Sequence, residues 1–93
     1  MVYYANNIKQ QKEAYMHKQY WTFIEREGDV RTYQHVEDTW CFLLVREVHS
    51  EYRWYVYEEN GRITTMLTTP RWKKLKTVFT EANDIVQKWR VLL

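Results

Sequence analysis

Between residues 39 and 48 the chain reads TWCFLLVREV, and this run limits the fold more than any other stretch. Trp40, Phe42 and Leu44 alternate with Cys41, Leu43 and Val45, so a strand built from it is apolar on both faces through its first half. A strand of that kind belongs in the middle of a sheet, with cover on each side.

The segments around it keep a period of two. YWTFIER and VRTYQHV flank Glu27-Gly28-Asp29, which reads as a short hairpin turn. After a polar HSE turn, residues 52–58 alternate again, and Asn60-Gly61 leads into residues 62–68. Asn-Gly signals a two-residue type I′ turn, which needs positive φ at both positions. That turn sets Glu58 opposite Ile63, Val56 opposite Thr65 and Trp54 opposite Leu67. It also sets Tyr55 opposite Met66 and Tyr57 opposite Thr64. Trp54, Val56, Ile63 and Leu67 are then the core face. Arg53, Tyr55, Tyr57, Thr64, Met66 and Thr68 are the other face.

Helical composition marks the two ends. Residues 7–19 are rich in Gln, Lys, Glu and Ala, with Tyr4, Ile8, Tyr15 and Met16 as a thin apolar stripe and Asn6 or Asn7 as cap. Towards the C-terminus Thr69-Pro70 reads as N-cap and first helical residue. Trp72, Leu75 and Phe79 follow at helical spacing, and Thr80 offers a second cap. Ala82, Ile85, Val86, Trp89, Leu92 and Leu93 make a second stripe, whose Trp89 side is expected to cover the sheet. The expected fold is α+β, a single compact domain over residues 1–93. Its antiparallel meander of about five strands carries an N-terminal helix and one or two C-terminal helices.

Ninety-three residues make one domain, which buries roughly two-thirds of its unfolded surface. With two Gly and one Pro there is no linker or low-complexity tract. Eight Tyr and five Trp, however, exceed what a small core consumes. The surplus falls on the Arg53, Tyr55, Tyr57 and Met66 face. Cross-strand aromatic pairs of about 0.2–1 kcal/mol each, or cover by the N-terminal helix, are one use for it. A partner-binding surface is the other, because Tyr, Trp, Met and Arg are enriched at interface centres.

Catalytic chemistry has little to stand on. Cys41 is the only thiol and lies in the most apolar strand, where burial raises a thiol's pKa and leaves it inert. His17, His35 and His49 stand at no metal-ligand spacing and read as surface histidines. Glu37-Asp38 and Glu58-Glu59 flank turns, where solvated carboxylates are ordinary, and Gly28 and Gly61 are too few for a phosphate loop. No enzyme activity, metal or cofactor is expected.

Net charge is +2, too small for a strong electrostatic argument. One stretch, PRWKKLK at residues 70–76, has a recognisable partner chemistry. Arg71, Lys73, Lys74 and Lys76 would track a phosphate backbone while Trp72 stacks on a base, with Arg53 and Arg62 extending the patch. The alternative is a solvated helix side, with Trp72 in the core beside Leu75 and Phe79. The first residues, MVYYANNIKQQK, contain no apolar signal segment, and the run at residues 40–45 is too short to span a bilayer. A cytoplasmic protein without membrane contact is expected.

Two functions fit these features. The first is a small protein-binding regulator or inhibitor, of the kind phages and mobile elements encode. It would act through an aromatic-rich sheet face or edge on a protein partner or on itself as a homodimer. The second is a nucleic-acid-binding module built on residues 71–76.

Overall fold

The computed structural model describes residues 20–92, so the helix expected over residues 7–19 lies outside the described residues. Five strands follow in order: β1 (Trp21–Glu27), β2 (Val30–His35), β3 (Cys41–Val48), β4 (Glu51–Glu58) and β5 (Leu67–Pro70). A 3-10 turn (Arg71–Lys73) then leads into one helix, α1 (Leu75–Leu92). Each strand pairs antiparallel with the next, giving the simple meander β1-β2-β3-β4-β5. The doubly apolar run is the central strand, as its pattern requires. β3 pairs with β4 along its whole length, from Cys41↔Glu58 to Val48↔Glu51.

α1 crosses one face of the sheet. Its Val78, Phe79, Ala82, Val86 and Trp89 share one side of the helix and meet Tyr33, Cys41, Leu43, Val45, Tyr52, Trp54 and Val56. Each large apolar side chain fully buried here contributes roughly 1.5–3 kcal/mol. Three buried polar contacts hold the core, two between sheet and helix and one between β4 and β5. The Trp21 indole N–H donates to the Phe79 carbonyl at 3.0 Å, and the Trp54 indole N–H donates to the Thr69 hydroxyl at 2.9 Å. His35 Nδ1 accepts the backbone N–H of Asp38 at 3.0 Å, so its Nε2 carries the proton and donates to Asn83 Oδ1 at 2.8 Å. His35 is therefore a core residue, 2% exposed, and not the surface histidine its isolation in the sequence suggested.

The last hairpin departs from the expected register. Gly61 has positive φ (107°) but Asn60 does not, and Glu58 donates its N–H to the Arg62 carbonyl across a three-residue loop. This is a type I turn closed by a glycine bulge, the other common solution for Asn-Gly. Tyr57 consequently faces Ile63 rather than Thr64. Between that bridge and the Trp54↔Leu67 pair, β4 has two residues and the facing chain has three. Thr65 and Met66 thus oppose Tyr55 as a second bulge, which restores the register that the sequence reading assigned to Leu67. Ile63 leaves the core as a result and is 62% exposed, and Leu67 is exposed as well. Thr64 moves to the Val56 side, where its hydroxyl accepts the Val56 N–H at 3.0 Å.

The helix start also differs. Thr69 and Pro70 close β5 instead of capping a helix, because the buried Trp54 indole takes Thr69 as its acceptor. Trp72 sits in the 3-10 turn, out of phase with α1, and is 76% exposed rather than packed with Leu75 and Phe79. Thr80 interrupts nothing: its hydroxyl donates to the Lys76 carbonyl inside a single continuous helix. Leu92 is exposed, and Leu93 lies outside the described residues. Among the described residues, no helix is long and apolar enough to cross a membrane.

Candidate functional site

The second face of the sheet, opposite α1, has no described helix over it. Strand pairing arranges it in rows. One runs Thr22, Gln34, Phe42, Tyr57, Ile63 from β1 to the last hairpin, the next Glu25, Thr32, Leu44, Tyr55, and the third Glu27, Val30, Arg46, Arg53, Thr68. Three of the four residues expected on this surface, Arg53, Tyr55 and Tyr57, stand on it, and Met66 lies exposed in the bulge opposite Tyr55.

Its centre is aromatic and half-buried. Phe42 stacks on Tyr57 with centroids 5.3 Å apart and planes 18° apart, and Tyr55 lies tilted against Tyr57 at 5.7 Å. Such pairs are worth about 0.5–1.5 kcal/mol beyond their area, so part of the aromatic surplus does stabilise the sheet. Burial pushes the Tyr57 hydroxyl above its ordinary pKa, with the Tyr55 hydroxyl and the Glu25 carboxylate adding to it.

Charge is set out unevenly across the same face. Arg46 and Arg53 are direct cross-strand partners, an arrangement that is unfavourable for like charges. Each leans on a carboxylate: Arg46 Nε donates to Asp29 Oδ2 at 3.0 Å, and Arg53 lies 3.6 Å from Glu51. The first contact holds the Asp29 carboxyl below the usual range. Glu25 and Glu27, on the β1 flank, have no ion partner within 4 Å among the described residues.

Phe42, Leu44 and Arg46 belong to this face and were missed in the sequence reading. The signal was present in the alternation of the 39–48 run, whose second apolar face had to point somewhere.

The basic segment is only partly a surface of its own. Arg71 is tied to Glu47 at 3.3 Å and donates to the His49 carbonyl at 2.9 Å. The Lys73 ammonium stands over the Trp72 ring, 5.5 Å from its centroid, while Lys74 and Lys76 are exposed. Trp72 shares an open cleft with Ser50, Glu51, Thr68 and Pro70, which joins it to the Arg53 corner of the open face. Arg62 does not extend that patch, since its guanidinium lies over Trp89, 5.4 Å from the ring centroid.

Cys41 and His35 sit on adjacent strands, yet the His35 ring is engaged by Asn83 and by backbone N–H groups. Burial pushes the Cys41 thiol up to about 12. No protein-family model, curated protein or solved structure matches the chain.

Proposed function

We propose that this chain is a small non-enzymatic protein-binding regulator or inhibitor that docks through the open sheet face. The carrying observation is the mismatch between β3, apolar on both sides, and the single helical layer among the described residues. Phe42, Leu44, Tyr55 and Tyr57 form an apolar centre, with arginines and carboxylates around it, which is the composition of an interface core and rim. A face is favoured over an edge because both edge strands are broken up, β1 by a bulge at Ile24 and β5 by ending on Pro70, its fourth residue.

The test is co-purification from cells that make the tagged protein, comparing wild type with a Tyr55→Ala/Tyr57→Ala variant. The expected outcome is a variant that still melts cooperatively and loses the proteins that accompany wild type. An unchanged set of companions would remove the face from consideration.

One observation favours the nucleic-acid alternative, namely the exposed Trp72 ring with Lys73 beside it. Stacking there would quench tryptophan fluorescence on titration with single-stranded nucleic acid, and affinity would fall steeply with salt. Lys73→Glu with Lys74→Glu should abolish such binding, and unchanged affinity in that variant would end this reading.

A further inference from the structure

The open face is complementary to itself. Its upper row runs from an acid on β1 (Glu27) to a base on β4 (Arg53), and the row below runs from Glu25 to the Tyr55 hydroxyl. An in-plane two-fold axis parallel to the strands, between β2 and β3, lays each row on its own reverse. Glu27 of one copy then meets Arg53 of the other, and Val30 meets the aliphatic stem of Arg46. Glu25 meets the Tyr55 hydroxyl, and Thr32 and Gln34 meet Leu44 and Phe42.

We propose that a second copy of this chain docks on the open face about this axis, forming a closed, isologous pair. The inference rests on the reading of the face as a docking surface and names its occupant. Three features point to a second copy. Glu27 lacks an ion partner among the described residues, and the two-fold brings it over Arg53, whose own Glu51 contact is long at 3.6 Å; Glu25, also without an ion partner there, comes over the Tyr55 hydroxyl. Phe42 and Leu44, on the second side of β3, gain the stems of Gln34 and Thr32 of the second copy as cover. Sheets that pack in this aligned way rotate by about 30°, an offset that long Glu and Arg side chains span.

With the axis between β2 and β3, strands β1 to β4 overlap, a contact roughly 19 Å wide at about 4.8 Å per strand, which is small for a stable assembly. The pair is therefore weak and reversible, and it hides Tyr55 and Tyr57. Self-association and capture of another protein compete for one surface.

Sedimentation equilibrium of the full chain, run over a wide concentration range, tests this. Wild type should show a reversible monomer–dimer equilibrium that tightens at low salt. Arg53→Glu and Glu27→Arg should each weaken it by about tenfold or more, and the double variant Glu27→Arg/Arg53→Glu should restore it. These side chains are exposed, so melting temperatures should stay close to wild type and report folding separately.

A wild type that is monomeric throughout would overturn the pair, while the docking reading still faces its own co-purification test. A dimer untouched by the charge variants but lost in Tyr55→Ala/Tyr57→Ala would overturn this geometry and keep the face. A dimer indifferent to all of these changes would overturn both the pair and the face as its seat.

Discussion

Nε2 of His35 on β2 lies 2.8 Å from Oδ1 of Asn83 on α1, and this buried contact ties the sheet to the helix that covers it. Gln87 donates to the same oxygen at 3.3 Å. Replacing Asn83 with Leu keeps the branching at Cγ, at the expense of some added volume, but leaves the imidazole N–H without an acceptor. The expected loss is about 1–3 kcal/mol in denaturant unfolding, the cost of stranding a buried donor. A variant as stable as wild type would show that the ring finds another partner.

Thr69 offers a similar test at the far side of the core. Thr69→Val preserves shape and removes the acceptor for the Trp54 indole N–H. Unfolding free energy should drop by about 1–2 kcal/mol. The near-ultraviolet signal of Trp54 should change with it, because the indole loses its only described hydrogen bond.

Lys74 joins the 3-10 turn to α1 with φ 69° and ψ 158°, a region that glycine occupies almost alone. Strain of this kind costs on the order of 1–3 kcal/mol in a residue with a Cβ. Lys74→Gly should therefore raise the melting temperature, despite the greater freedom it gives the unfolded chain. A drop would mean that the Lys74 side chain contributes more than its backbone loses.

The Cys41 thiol predicts an alkaline transition. Burial, with smaller contributions from the Asp38 and Glu58 carboxylates, raises its pKa from 9.0 to about 12. A folded-state value above the unfolded one stabilises fully below the unfolded value, and that contribution disappears as pH climbs through the folded one. Stability should hold up to about pH 9 and decline between about 9 and 12, with the raised Tyr33 and Tyr57 hydroxyls adding to the decline. Cys41→Ala should flatten the curve. The native thiol should also resist disulfide reagents at pH 8 and react at once in denaturant.

Trp72 should matter little to the fold. At 76% exposure, its replacement by Ala should change stability by no more than about 0.5 kcal/mol. A large loss in thermal melts would return Trp72 to the core position that its spacing from Leu75 and Phe79 suggested.

Much of the fold was legible because period two and helical spacing leave separate marks. The 39–48 run announced a central strand, and the Ala82, Val86, Trp89 spacing announced the face of α1. The errors share a cause, which is tertiary demand overriding a local rule. Thr69-Pro70 is a sound helix start in isolation, but the Trp54 indole claims Thr69 for the sheet. Asn60-Gly61 permits two turn geometries that differ by one residue, and that residue sends Ile63 outward and Thr64 inward. Asn83 carried no mark as a partner for His35, since nothing local joins positions 48 apart. On the open face the tyrosines were legible. Phe42, Leu44 and Arg46 were hidden because their strand was assumed to be covered twice.

Among the described residues, the bulge at Ile24 and the stop at Pro70 interrupt the free backbone groups on both edges of the sheet. Edges broken in this way disfavour in-register addition of further strands, so self-association is expected to run through the face and to end at two stacked layers. Crowding this chain should yield finite particles, and seeded fibre growth should fail even at concentrations where pairing is complete.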